Sequence, residues 1–107
     1  MKKRILTAVL AAALVTGTCA ATVSAKEEKT YTIGICQLVQ HDALDAATKG
    51  FEDAITEKMG DSVKFDEQNA QGDSATCSTI INNFVSSNVD LILANATASL
   101  QAAAAGT

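Results

Sequence analysis

Amide, hydroxyl, imidazole and carboxylate side chains are concentrated in three short segments, each of which follows a predicted strand. The segments are QLVQHD at residues 37–42, NAQGDS at residues 69–74 and NATAS at residues 95–99. Groups of these types bind a small solute through hydrogen bonds and ion pairs. Each segment also precedes a predicted helix, whose free N–H groups and positive dipole end favour an anion or a carboxylate. These residues therefore predict a solute-binding site.

The same residue types are also ordinary turn and helix-capping residues, so a purely structural role is the alternative for each segment. Catalysis has less support, because no nucleophile and base can be paired from the sequence. His41 is the only histidine, and no cysteine stands at a spacing that would complete a metal site with it. The glycine spacings of nucleotide-phosphate loops are missing after the first apolar run. We therefore expect no catalytic residue, no metal and no cofactor.

Three predicted strands alternate with three predicted helices and position the polar segments. The strands are predicted at residues 31–38, 62–68 and 89–94, and the helices at 42–59, at 74–88 and from residue 100. Such alternation requires parallel strands joined by right-handed crossovers. The second strand alternates apolar and charged residues, which is typical of an edge, so the predicted strand order is 2-1-3.

The predicted fold class is α/β, with a parallel sheet of β-α-β-α-β-α order that forms half of a doubly wound sheet. In such sheets a ligand binds outside the carboxyl ends of the strands, where the strand order reverses. All three polar segments meet at that end. The topology therefore predicts that they form the walls of one site.

Each of the first two helices carries an apolar stripe at three- and four-residue steps. The stripes are Leu44, Ala47, Phe51, Ile55 and Met59 in the first helix, and Cys77, Ile80, Ile81, Phe84 and Val85 in the second. The predicted N-terminal caps are Asp42 for the first helix, Asp73 or Ser74 for the second, and Thr97 with Ser99 for the third. Gly60 and Asn88 are predicted to end the first and the second helix. Gly34 is predicted to mark close packing against the first strand.

Cys36 and Cys77 are both predicted to face the layer between the sheet and the helices. Two buried free thiols are the favoured prediction, because a disulfide requires restrictive spacing and orientation of the two residues. A disulfide in an exported protein is the alternative.

The amino-terminal residues are typical of an export signal. A basic start, MKKR, precedes an uncharged apolar run at residues 5–15 that is too short to span a bilayer. Small residues then lead to Ala25, after which we expect cleavage, so that residues 1–25 form a signal peptide and residues 26–30 a polar leader. Cys19 is a candidate lipidation site that would anchor the protein to the membrane, and the alternative is a cysteine discarded with the signal.

The charge of the chain argues against some partners. Twelve acidic residues against eight basic ones give a formal net charge of −4 at pH 7. Nucleic acids and anionic lipid surfaces both require clustered Lys and Arg. We therefore expect no nucleic-acid partner and no membrane contact other than through the candidate lipid anchor.

The segments TYTIGICQLVQHDALDAATKGFEDA, DEQNAQGD and VDLILANATAS resemble the amino-terminal lobe of substrate-binding proteins of bacterial ABC transporters. The resemblance is to the periplasmic-binding-protein type I branch linked to uptake of tryptophan and tyrosine. It implies an exported protein, periplasmic or held at the outer face of the cell membrane, that delivers a small-molecule solute to a transporter permease. It also implies that residues 31–107 are a partial amino-terminal lobe, and we expect the chain to be a fragment of a longer protein.

Carried over by position, the resemblance assigns solute-binding roles to residues of all three segments. They are Gln37, Gln40, His41, Gln71, Asp73, Ser74, Asn95, Thr97 and Ser99. The implied solute is an amino acid, with an aromatic one favoured by the branch. The three segments contain no aromatic residue, so the ring of such a solute would have to stack elsewhere.

Two other functions stay open. A sugar-binding protein of the same fold is the nearest alternative, although such proteins stack sugar rings on aromatic residues that these segments lack. An exported α/β enzyme is the second alternative, and it would need a catalytic group that the sequence does not reveal. A receiver domain of similar topology is disfavoured, because its phosphate donors are cytoplasmic and this chain carries an export signal.

Overall fold

The computed structural model describes residues 28–107. The predicted signal peptide, with Cys19, and the first part of the polar leader lie outside the described residues. These residues form three strands and three α-helices. In chain order they are β1 (Tyr31–Gln37), α1 (Asp42–Met59), β2 (Val63–Asn69), α2 (Ser74–Ser86), β3 (Leu91–Asn95) and α3 (Thr97–Gly106), with a turn of 3-10 helix at Gly60–Ser62 between α1 and β2.

The three strands form one parallel sheet in the order β2-β1-β3, which confirms the predicted fold class and strand order. The register aligns the carboxyl ends of the strands, because Gln37 at the end of β1 pairs with Asn69 on one side and with Asn95 on the other. The polar segments therefore begin side by side. β2 lies at the edge of the sheet, as its alternating pattern predicts.

Helices cover both faces of β1, which explains why this strand is apolar nearly throughout. On one face, α2 and α3 bury a core that is made mainly of Cys36, Cys77, Ile80, Ile81, Phe84 and Ala102. On the other face, α1 packs Phe51, Ile55 and Met59 against Ile33, Ile35 and Val63. Burying a side chain of the size of Phe84 contributes about 1.5–3 kcal/mol to folding.

Gly34 confirms the predicted close packing. A Cβ atom at this position would lie only 2.6 Å from Cδ2 of Phe84, which is closer than real Cβ atoms approach. The absence of a side chain on β1 therefore lets the Phe84 ring of α2 rest directly on the sheet.

Several predicted details are wrong at the helices. The cap of α1 is His41 rather than Asp42, because the His41 ring accepts a hydrogen bond from the N–H of Ala43. Ala47 is exposed and Thr48 takes the buried place beside it, and Val85 is 45% exposed although it was predicted to face the core. Ala47 and Val85 therefore do not belong to the core.

The third helix begins earlier than predicted. It starts at Thr97 and not at residue 100, so most of the predicted loop at residues 95–99 is helical. The entire turn is made at Ala96, whose φ of 106° and ψ of 160° reverse the chain in one residue. Thr97 and Ser99 lie inside the helix, so their prediction as caps is wrong.

Among the residues that the structure describes, no helix has the length and apolar character required to cross a membrane.

Candidate functional site

The β1–α1 loop provides the first wall of the site. Gln40 and His41 are exposed, as is Val39 beside them. Nδ1 of His41 accepts a hydrogen bond of 3.1 Å from the N–H of Ala43. In a neutral imidazole the other ring nitrogen then carries the proton, so Nε2 is a donor that is free to face a solute.

The β2–α2 loop provides the second wall. Oδ1 of Asn69 accepts a 2.7 Å hydrogen bond from the N–H of Gln71 and closes a tight turn. Gln71 and Gly72 both adopt positive φ, at 54° and 85°. Gln71 is exposed and adopts a backbone conformation that is uncommon for residues other than glycine.

Asp73 caps α2, as predicted, and is exposed. Its carboxylate accepts from the hydroxyl of Thr76 at 2.6 Å and from the N–H groups of Ala75 and Thr76 at 3.2 and 3.1 Å. These hydrogen bonds, led by that of the Thr76 hydroxyl, lower the pKa of Asp73 below its usual value. Ser74, the first residue of the helix, is exposed next to this negative charge.

The β3–α3 junction provides the third wall. Unlike α1 and α2, α3 begins without a side-chain cap. The first N–H groups of a helix have no partner within it, so those of α3 point toward the open end of the sheet. Thr97 is exposed at this helix start. The φ and ψ of Ala96 lie in a region that is otherwise almost restricted to glycine, which marks this junction as strained.

Ser99 is fully buried and does not reach the open end of the sheet. Its Oγ lies 3.6 Å from Sγ of Cys36, which donates to it, and 3.7 Å from Sγ of Cys77. Both cysteines are free and buried, which confirms the favoured prediction. Burial is the main cause that raises the pKa of the Cys36 thiol.

Gln37 and Asn95 are turned inward. Gln37 is only 2% exposed, and its Nε2 donates to the carbonyl of Val39 at 2.9 Å and to Oδ1 of Asp45 at 2.6 Å. Asn95 is partly buried, and its Nδ2 donates to the carbonyl of Leu44 and to Oγ1 of Thr48, both at 2.9 Å. Both N–H bonds of each amide group are therefore used within the protein.

Backbone hydrogen bonds join the three walls. The N–H of Leu38 donates to the carbonyl of Asn95 at 3.2 Å, and the N–H of Gly72 donates to the carbonyl of Leu38 at 2.7 Å. The N–H of Ala70 donates to the carbonyl of Gln37 at 2.9 Å. The loops are thus held as one unit around the end of β1.

The nine predicted residues separate into two groups. The exposed group, which is available to a solute, contains Gln40, His41, Gln71, Asp73, Ser74 and Thr97. The group beneath it contains Gln37, Asn95 and Ser99, whose polar atoms contact the protein itself. A further polar residue, Thr48, was not predicted as part of the site; it is 3% exposed and hydrogen-bonds to Gln37 and Asn95 of the inner group. The only indication of this role in the sequence is that Thr48 is a hydroxyl residue next to the apolar stripe of α1.

Two residues of the exposed group, Gln40 and Gln71, line an open depression of about 440 Å³ together with Val39 and Asn69. Amide groups predominate in its lining, and these both donate and accept hydrogen bonds. Within residues 28–107, no three His, Cys, Asp or Glu side chains are grouped closely enough to hold a metal ion.

Comparison with known proteins adds independent information. The profile of the family described as ABC transporter substrate binding protein matches residues 32–107. A tyrosine-binding protein of Clostridioides difficile is 49% identical over 79 residues, which cover 71% of this chain and 23% of the relative.

Two solved structures are similar in fold. One is the ligand-free, open structure of a Clostridium difficile substrate binding protein with adhesive properties, at 43% identity and a TM-score of 0.70 over 73% of this chain. The other is a conserved domain protein of Vibrio cholerae, at 35% identity and a TM-score of 0.71 over 74% of this chain. The chain spans 28% of each of these structures, or about a quarter of the length of its relatives.

Proposed function

Because this chain belongs to the family of ABC transporter substrate binding proteins, we propose that it supplies one wall of the solute site of an ABC importer. In this role the protein works outside the cytoplasm, binds a small molecule between this wall and a facing surface, and passes it to a permease. The fold and family are those of binding proteins and not of enzymes.

The proposed solute is an aromatic amino acid, and tyrosine is the first candidate. The support is the tyrosine-binding relative, which is 49% identical to this chain over 79 residues. The three loops add polar contacts and no aromatic surface, so the main-chain groups of the amino acid are proposed to lie against this wall. Its ring would then contact the facing surface.

The start of α3 is the observation on which this proposal mainly depends. It presents N–H groups without a side-chain cap at the carboxyl end of β3, beside the exposed Thr97 hydroxyl. Free helix N–H groups and the helix dipole favour an anion at such a position. We assign this position to the carboxylate of the solute.

The other exposed side chains complete the proposed contacts. Asp73, whose pKa is lowered by its hydrogen bonds, keeps a negative charge that favours the solute ammonium group. Gln40 and Gln71 border the depression with amide groups, and His41 offers its Nε2 as a donor. Ser74 adds a hydroxyl at the start of α2.

A thermal-shift screen tests the class of solute. The full-length protein that carries this sequence, without its signal peptide, would be heated with single amino acids, sugars or small peptides. A solute at one hundred times its dissociation constant raises the free energy of unfolding by roughly 2.7 kcal/mol. We expect the melting temperature to rise with tyrosine and related aromatic amino acids. A rise with sugars alone would instead support the sugar-binding alternative.

A further inference from the structure

Thr48 stands at the centre of a buried hydrogen-bond network under the proposed site. Its hydroxyl donates to Oε1 of Gln37 at 2.7 Å and accepts from Nδ2 of Asn95 at 2.9 Å. One side chain of α1 therefore joins the last residue of β1 to the last residue of β3.

The chemistry of the partners fixes the direction of every hydrogen bond in this network. The carbonyl of Val39 and the carboxylate of Asp45 can only accept, so the amide of Gln37 must turn its NH₂ group toward them. Its Oε1 then faces Thr48. The carbonyl of Leu44 likewise requires the NH₂ group of Asn95. The Thr48 hydroxyl is left with one arrangement, in which it donates to Gln37 and accepts from Asn95.

The network connects two parts of the proposed solute site, the β1–α1 loop and the start of α3. Gln37 holds the β1–α1 loop through the carbonyl of Val39, next to Gln40. Asn95 directly precedes Ala96, the N-cap residue of α3. Fully satisfied buried networks of this kind are rigid, and a site that is held in its binding geometry avoids the ordering cost of association.

We propose that Thr48 is a positioning residue for the solute site, an inference that rests on the proposed function. Its hydroxyl fixes the β1–α1 loop and the start of α3 relative to each other, without touching the solute. Gln37 and Asn95 act with Thr48, so they position the solute-binding loops and do not contact the solute themselves.

The test compares Thr48→Val, which keeps the shape and removes the hydroxyl, with Thr48→Ser, which keeps the hydroxyl. Both are made in the full-length protein that carries this sequence. The matched control is Thr79→Val on α2, where an exposed hydroxyl makes only a 3.4 Å contact with the carbonyl of Ala75. Two quantities are measured: the affinity for L-tyrosine, and amide hydrogen exchange of residues 38–43 and 96–98 in the protein without solute.

We expect Thr48→Val to weaken L-tyrosine binding by about tenfold, as is typical when a buried hydrogen-bond partner is lost. Exchange should accelerate in both loops, first at the N–H of Leu38, which bonds to the carbonyl of Asn95. Thr48→Ser should restore both quantities most of the way, and Thr79→Val should leave both unchanged.

The exchange measurement keeps this proposal separate from the identity of the solute. If the unaltered protein does not bind L-tyrosine, the proposed solute is wrong, but the loop exchange still decides the role of Thr48. A Thr48→Val protein with a lower melting temperature but unchanged loop exchange would overturn the proposal. Thr48 would then be an ordinary stabilising core residue.

Discussion

At the scale of single residues, the site is defined by which polar atoms are still free. Asn95 has no N–H bond left for a solute, because Leu44 and Thr48 take both. His41 is the opposite case, since its role as a cap uses Nδ1 and leaves Nε2 available. Residue type alone does not show whether a polar atom is free to bind a solute. The hydrogen-bond partners of that atom within the protein show it.

Asp73 gives a pH prediction at this scale. Its pKa is lowered in the folded protein, so its contribution to stability is present above the pKa of an unfolded Asp, about 3.9. That contribution is lost as the pH falls through the lower folded value. We therefore expect the stability of Asp73→Ala to depend less steeply on pH below about 4 than that of the unaltered protein. Denaturant titrations at several acidic pH values measure this difference, and parallel curves would contradict it.

At the scale of elements, much of the fold follows from apolar periodicity and turn residues. The bounds of α1 at Asp42–Met59 agree with its predicted stripe, and Gly60 adopts the positive φ expected of its stop. The early start of α3 could not be predicted, because Ala96 adopts a conformation that sequence patterns assign to glycine. The role of Thr48 could not be predicted either. It depends on side chains 11 and 47 positions away, which only the folded sheet brings together.

The contact between β1 and α2 gives a stability prediction with a matched control. Gly34→Ala forces a methyl group into the Phe84 ring, and such overpacking costs about 1–3 kcal/mol. Gly50→Ala, inside α1 and with nothing within 4 Å of the added atom, should instead stabilise the protein by about 0.5–1 kcal/mol. Urea unfolding of both variants measures the two effects. Equal effects of the same sign would show that packing at Gly34 is looser than the structure indicates.

At the scale of the whole molecule, the described residues form a platform and not a closed pocket. The aligned strand ends and the joined loops hold six exposed polar side chains at one end of the sheet, and two of them, Gln40 and Gln71, line an open depression of about 440 Å³. Sites for small ligands usually bury most of the ligand surface, which an open depression cannot do alone. The proposed site therefore needs a facing surface, in agreement with a chain that spans about a quarter of the length of its relatives.

The proposed solute and the position of its carboxylate are tested by a calorimetric titration of the full-length protein with L-tyrosine and, in parallel, with tyramine. Tyramine keeps the ring and the ammonium group of tyrosine but lacks the carboxylate assigned to the start of α3. We expect L-tyrosine to bind and tyramine to bind at least about a hundredfold more weakly, which is the loss expected for about 2.7 kcal/mol of charge-assisted hydrogen bonds. Equal binding of the two compounds would contradict the assignment of the carboxylate. Binding of neither would contradict tyrosine as the solute.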